Sequence, residues 1–472
     1  MKNKKFKERN ILYICTEIYS REYDEYLMLS LDILENTNIK SVIIANQQIL
    51  KFMLRKLPIE PGFVLVKSAQ ENQKIIYQEI QKMGHTIICQ NAEFCVTWPD
   101  EGKYDLKMIS HNTLKYVDCI LTHNMLETSL LKEFKKINKI PSEIIEIGNI
   151  RFLRDKKTYN SYYKNYIKNR IQNKNSKFIL FVSSLGPSNL YKGLSREEIY
   201  NFLIKSDSTE KSHAERLSYQ YFYHQFLYKE FAEVIEELNI SSENICCIVR
   251  PHPSDDINQL KQIFNGIPNI QIIEENSFKP WALASTLVIS SSSSTLIEST
   301  SLDINSISFL PSWPDDKIDL VNYFRNHQVN KTSFQSYSKE DLKNNIKNFY
   351  NDPDYSNLSQ INEAKEFLGI KEDRNIKYLY EYISKNKKMI DNYNNKLFLP
   401  FYIIKPAMQI IFIFTELYKF LFYRKSYRNY LSQKNTSFNK YCIKFGAMNH
   451  LKKYDKIISM VKKNYTFLRK KD

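Results

Sequence analysis

Two short stretches of this 472-residue chain carry side chains whose types and spacing suit chemistry on a phosphate. In the first, "ICCIVRPHPSDD" (Ile245 to Asp256), an apolar run stops at Arg250 and His252 is pinned between Pro251 and Pro253. Each proline fixes its own φ and pushes the residue before it toward extended geometry, so this imidazole can neither enter a helix nor continue a ladder. The bland alternative is a stiff turn with a solvated histidine. In the second, "TLVISSSSSTLIES" (Thr286 to Ser299), a buried run meets five serines and a threonine before a helical pattern begins. One helix cap uses one or two hydroxyls. Ser292, Ser293, Ser294 and Thr295 together concentrate O–H and N–H donors at a positive helix end, which is what an anion needs. Glu298, three residues past Thr295, is either a capping carboxylate or a partner for a ribose diol. Arg250 either offsets phosphate charge or pairs with Asp255 or Asp256. Cleaving a bond to phosphate puts negative charge on the leaving group, and each fixed donor aimed there is worth roughly 3 to 4 kcal/mol of barrier.

The surrounding pattern shows what must position these groups. "NILYIC", "KSVIIAN", "FVLVKS", "HTIICQ", "VDCILTH" and "EIIEIGN" read as strands, separated by helical stretches such as "QQILKFMLRKL" and Met125 to Ile137. After a polar link, Asp155 to Lys177, a second series starts: "FILFVSS", a long helix near Glu210 to Leu238, "NICCIVR", "IQIIEE", "TLVIS" and "SISFLP". Strands alternating with helices predict two doubly wound parallel sheets, whose ligands bind outside the carboxyl ends of the strands. The expected domains are residues 1–160, 177–385 and a tail, 396–472. "SSLGPSNLYKG" (Ser183 to Gly193) fits neither phosphate-loop nor dinucleotide spacing and is expected to line the site, with Ser184 and Gly186 holding nucleotide or sugar.

In order and spacing, "VRPHPSDD" followed by "NIQIIEENSFKPWALASTLVISSSSSTLIES" resembles bacterial surface carbohydrate biosynthesis proteins. These are GT-B glycosyltransferases related to capsule and lipopolysaccharide Kdo transferases and to bacterial sialyl- and polysialyltransferases. "PGFVLVKS", "REYDEYLML", "IGNIRF" and "KPWALAS" add to the likeness, which spans about residues 11 to 310. The resemblance implies two Rossmann-like domains facing a cleft. It implies a His-Pro element at His252 and Pro253 that meets the phosphate or base of a CMP-sugar, and a serine element at Ser293 to Thr295 that holds its phosphate. It also implies a first-domain acidic motif that deprotonates the acceptor hydroxyl, a step worth about 10² to 10⁴ in rate. At the matching "IICQNAEFCV" only Glu93 remains, with Asn91 and Phe94 in place of the usual acid and glycine. Glu93 is the expected base, with Glu22 or Asp24 in reserve. The implied activity is transfer of a CMP-activated keto sugar, such as Kdo or a sialic-type acid, to a growing surface glycan or glycolipid. A CDP-glycerol or polyol-phosphate transferase, a nucleotide-sugar epimerase and a catalytically silent scaffold of polysaccharide assembly remain alternatives.

Charge and cysteine usage bound the rest. Seventeen Lys or Arg face three acids between Lys396 and Asp472, so most of the formal charge of +16 sits in the tail and the body is nearly neutral. Nucleic acid is therefore not the expected partner. The apolar stretch Leu397 to Tyr430 has a longest uncharged run of ten residues, Pro406 to Thr415, against about twenty for a membrane span. Aromatics interleaved with Lys405, Lys419, Arg424, Lys425 and Arg428 suit a helix lying on an anionic membrane surface. Seven cysteines without a C-x-x-C pair, and no secretory leader, point to reduced thiols and a cytoplasmic protein on the inner face of the membrane. Histidines are scattered singly and "DPD" at Asp352 to Asp354 reads as a turn. No metal and no cofactor beyond the donor is expected.

Overall fold

The computed structural model describes residues 8–16, 19–91, 109–150, 177–183, 193–207, 211–240, 245–252, 255–273, 278–291, 293–326, 328–352, 355–356, 358–367, 376–388, 458–460 and 465–469. They fall into two compact units.

In the first unit, β1 (Ile11–Thr16), β2 (Ser41–Asn46), β3 (Phe63–Val66), β4 (Thr86–Gln90), β5 (Cys119–Thr122) and β6 (Glu143–Glu146) form parallel pairs in the order β2-β1-β3-β4-β5-β6. Between them run α1 (Tyr19–Asn36), α2 (Gln47–Lys56), α3 (Lys74–Lys82), α4 (His111–Leu114) and α5 (Met125–Asn138). Every residue of β1, β3, β4 and β5 is buried, which is why these strands read as continuous apolar runs rather than alternating ones. Leu29, Ile33 and Leu34 of α1 lie at helical spacing and pack with Ile14, Ile44 and Phe63 into one core. Asn46 and Asn124 cap α2 and α5 through their side chains. Gly62, just before β3, has no room for a side chain, since a Cβ there would stand 2.3 Å from the Ile11 carbonyl oxygen.

In the second unit, β7 (Phe178–Val182), β8 (Cys246–Arg250), β9 (Ile270–Ile272), β10 (Leu287–Ser290), β11 (Ser306–Phe309) and β12 (Phe334–Ser336) are all parallel, in the order β12-β11-β10-β7-β8-β9. The helices are α6 (Arg196–Asp207), α7 (Lys211–Ile240), α8 (Ile257–Ile263), α9 (Phe278–Ala284), α10 (Ser294–Ser301), α11 (Leu320–Asn326), α12 (Gln328–Lys331), α13 (Lys339–Asn351) and α14 (Leu358–Phe367). The core sits under α7: Phe181 stacks on Phe231 at 3.9 Å between ring centres and meets Tyr228 edge-on at 5.2 Å. Each such ring contributes about 1.5 to 3 kcal/mol by leaving water.

The chain then returns to the first unit. In α15 (Ile376–Lys385), Leu379, Tyr382 and Ile383 form a stripe buried in the first core. Buried Arg9 donates to the carbonyls of Asn386 (3.0 Å) and Lys388 (2.8 Å) just past that helix. The span 177–385 taken from sequence thus ends in a helix that packs on the other sheet. The tail, expected to be helical, contains strands at 458–460 and 465–469. β13 (Ile458–Met460) and β14 (Tyr465–Arg469) form an antiparallel hairpin, and β14 pairs antiparallel with β2. "YTFLR" is rich in aromatic and β-branched residues, and the outer edge of β2 offers unpaired backbone groups to receive it. The apolar, basic stretch expected to meet a membrane, through residue 457, lies outside the described residues. Among the described residues no helix is long and apolar enough to cross a membrane.

Candidate functional site

In the second sheet the chain starts at β7, builds outward through β8 and β9, then crosses over to β10, β11 and β12 on the other side. This reversal makes a switch point at β7, where the loops leaving neighbouring strands diverge and open a crevice at their carboxyl ends. Ser290, Val182 and Arg250 stand side by side across β10, β7 and β8. The His252 turn follows β8 and the serine turn follows β10. The two therefore emerge from the same edge, two strand spacings or about 10 Å apart.

His252 is exposed at this edge, while Pro251 behind it is buried. Its backbone N–H donates to Asp255 Oδ2 at 2.8 Å and approaches Ser183 Oγ at 3.1 Å. The Ser183 hydroxyl, just past β7, donates to the same carboxylate oxygen. Ser183 N–H reaches back to the Arg250 carbonyl at 3.0 Å, and Asp255 N–H to the His252 carbonyl at 2.9 Å. Asp256 caps α8 through Asn258 N–H. The two aspartates following the histidine thus serve the backbone and a hydroxyl.

The serine run divides by position. Ser290 and Ser291 are sealed: the Ser290 hydroxyl donates to the Val182 carbonyl at 2.8 Å, and Ser291 Oγ lies 3.5 Å from His224 Nε2 of α7. Ser293, Ser294 and Thr295 are only half-buried. Ser293 is the N-cap of α10, its oxygen accepting Thr295 N–H (3.3 Å) and the Thr295 hydroxyl (2.9 Å). An oxygen that accepts twice still has its own proton to give, so the cap and an outward donor coexist in one residue. Glu298 is buried one turn in, and Arg250 is half-buried at the end of β8. Pro253, Ser292, Ser184 and Gly186 lie outside the described residues.

The carboxyl edge of the first sheet has its own reversal, between β1 and β3. Lys67, directly after β3, pairs with Glu22 of α1 at 2.5 Å, both side chains being buried. Glu22, one of the reserve bases, is therefore committed to an ammonium. The side chain of Asp24 and the whole of Glu93 lie outside the described residues. After β5, His123 Nδ1 lies 2.6 Å from Glu127 Oε2, which also accepts His123 N–H at 2.7 Å. Histidines taken singly do not reveal this dyad; its signal in the sequence is a His and a Glu four apart at a strand-to-helix junction. Both side chains are wholly buried, so the pair braces the turn into α5. Burial pushes the Cys15 thiol up to about 11 and the Cys89 thiol up to about 12, which removes them as nucleophiles at neutral pH. Among the described residues no group of three or more His, Cys, Asp or Glu is placed to hold a metal ion.

No protein-family model and no curated protein matches the chain. Solved structures similar to it include the UDP-GlcNAc 2-epimerase of Neisseria meningitidis bound to UDP-GlcNAc, with 14% identity over 80% of this chain and 99% of that one and a TM-score of 0.46. The UDP-GlcNAc 2-epimerase of Methanocaldococcus jannaschii gives 13% identity, 79% and 99% coverage and a TM-score of 0.46. The wall teichoic acid polymerase TagF soaked with CDPG gives 14% identity, 80% and 88% coverage and a TM-score of 0.44.

Proposed function

We propose that the chain is a nucleotide-dependent transferase of bacterial surface carbohydrate assembly, most specifically a glycosyltransferase that uses a CMP-activated keto sugar. One observation carries the reading: an exposed imidazole and a half-buried, hydroxyl-capped helix start share the switch-point edge of the second sheet, on strands that flank β7. A nucleoside phosphate spanning that edge takes donors from Ser293, Ser294, Thr295 and the amide groups of α10 on one side and from His252 on the other. As the bond between the sugar carbon and the phosphate oxygen breaks, its electron pair leaves with the nucleotide, where these donors meet it. The acceptor hydroxyl supplies the new C–O bond and gives its proton to a carboxylate, for which Glu93 is the candidate. The same phosphate contacts serve a CDP-glycerol transferase, whose bond breaks within a diphosphate. The basic stretch between Lys396 and the terminal hairpin is the proposed contact with anionic lipid on the inner face of the membrane.

The test measures CMP release from CMP-Kdo, CMP-sialic acid and CDP-glycerol, and UDP binding as the mark of an epimerase, with wild type and His252→Ala. Turnover of a CMP-sugar that fails in His252→Ala supports the assignment. Turnover of CDP-glycerol alone moves it to polyol-phosphate transfer, and UDP binding without acceptor dependence moves it to epimerisation. If no nucleotide binds and His252→Ala leaves glycan output in cells unchanged, the scaffold reading replaces it.

A further inference from the structure

We propose that Asp255 is the positioning residue of this site, the group that fixes where the imidazole of His252 stands relative to the serine turn. This rests on the reading of His252 as a phosphate ligand. In Pro251-His252-Pro253 the prolines set local dihedrals, but neither has an N–H with which to attach the tripeptide to anything. The single amide proton available is that of His252, and it goes chiefly to Asp255 Oδ2 at 2.8 Å, with Ser183 Oγ, itself bound to that carboxylate, at 3.1 Å. Asp255 returns its own N–H to the His252 carbonyl at 2.9 Å, closing the turn on itself. The same Oδ2 accepts the hydroxyl of Ser183, the residue that follows β7.

β7 is the strand between the histidine and the serines, and Ser290 of the serine turn is fastened to it through the Val182 carbonyl. Both halves of the site are thus referenced to Val182, the last residue of β7, and to Ser183 directly after it. The reference runs through a carboxylate that is 1% exposed. A buried carboxylate is costly without donors. Its placement here gives the turn a charge-assisted anchor, stronger than a neutral hydrogen bond. A carboxamide in its place keeps one acceptor oxygen for the same two donors, whereas a methyl group keeps none.

A double-mutant cycle on nucleotide binding tests the role. Affinities for CMP, with UDP as a second probe, are measured by calorimetry for wild type, His252→Ala, Asp255→Asn, Asp255→Ala, Ser183→Ala and the double variant His252→Ala/Asp255→Ala, each with its thermal midpoint. A phosphate ligand moved off its position no longer donates to the anion, so the affinity it contributes is lost with it. Asp255→Ala is therefore expected to approach the loss seen in His252→Ala, Asp255→Asn to stay near wild type, and the double variant to be no worse than His252→Ala. An Asp255→Ala protein that melts earlier but binds as wild type overturns the proposal, as does a double variant whose losses simply add. Should Asp255→Ala not fold, a wild-type affinity in Ser183→Ala overturns it instead. If neither probe binds wild type, or His252→Ala is silent, the functional reading fails first and separately.

Discussion

Ser293→Asp separates a helix cap from a phosphate ligand, because the two roles ask opposite things of one oxygen. As the N-cap of α10, position 293 must accept Thr295 N–H, which a carboxylate does as well as a hydroxyl. Negative charge at a helix start is favourable by about 0.3 to 1 kcal/mol. The variant should therefore melt at or slightly above the wild-type temperature. As a phosphate ligand the residue must instead donate, which an ionised Asp cannot do. An anion seated on the first amide groups of α10 would lie roughly 5 to 6 Å from the new charge. At an effective permittivity near 20 the repulsion is about 3 kcal/mol, on the order of 100-fold in Kd. Ser293→Ala is the contrasting variant, losing about 1 kcal/mol of stability together with the donor. The assay pairs scanning calorimetry with titration by CMP and UDP at two salt concentrations, since the charge penalty must shrink with screening. A Ser293→Asp protein of normal stability that binds nucleotide as wild type would refute the placement of the phosphate at this turn.

Lys67→Met should destabilise the first unit by about 3 to 5 kcal/mol in urea unfolding, because it removes one partner of a buried ion pair. Lys67→Met combined with Glu22→Leu should recover most of that loss, and equal losses in single and double variants would mean the pair is not formed. Burial holds His85 down to about 3, so the native state keeps it neutral and is stabilised above its ordinary value of 6.5. That stability is lost as pH falls from 6.5 toward 3, by up to about 5 kcal/mol. His85→Gln retains an acceptor for Gly62 N–H but does not titrate, so its unfolding midpoint should fall less between pH 7 and pH 4. At pH 8 a disulfide reagent should reach the buried Cys15, Cys89, Cys119 and Cys247 only as fast as the protein unfolds. Peptide mapping of the modified thiols checks this, and fast labelling of any of the four contradicts their placement.

Most strands of both sheets were legible because a strand buried on both faces must be apolar throughout, and "ILYIC", "FVLV" and "FILFV" are. β12 was not, being three residues, Phe334–Ser336, with glutamine in the middle. α15 carries a clear apolar stripe, yet nothing in that stripe says which sheet it covers. The answer depends on Arg9, far away in sequence, receiving the carbonyls after it. At the site, the His-Pro turn and the serine run were visible as local chemistry. The sorting of the serines was not, since Ser290 and Ser291 are sealed by their position on β10 and under α7 rather than by their type. From sequence, Asp255 and Asp256 stand only as charged neighbours of Arg250. The donors that Asp255 takes from Ser183 and His252 follow from β7 and β8 being neighbours, which only the sheet order reveals.

The outer edge of β2 is closed by Tyr465–Arg469, a segment made some 420 residues later. At roughly 5 to 20 residues per second, ribosomal synthesis leaves that gap open for about 20 to 80 s. Throughout that interval the nascent first sheet offers the apolar strand "SVIIAN" to any passing chain. The hairpin thus works as the last stitch of a seam begun at the first strands, and stalled or shortened products should be the species that a holding chaperone captures.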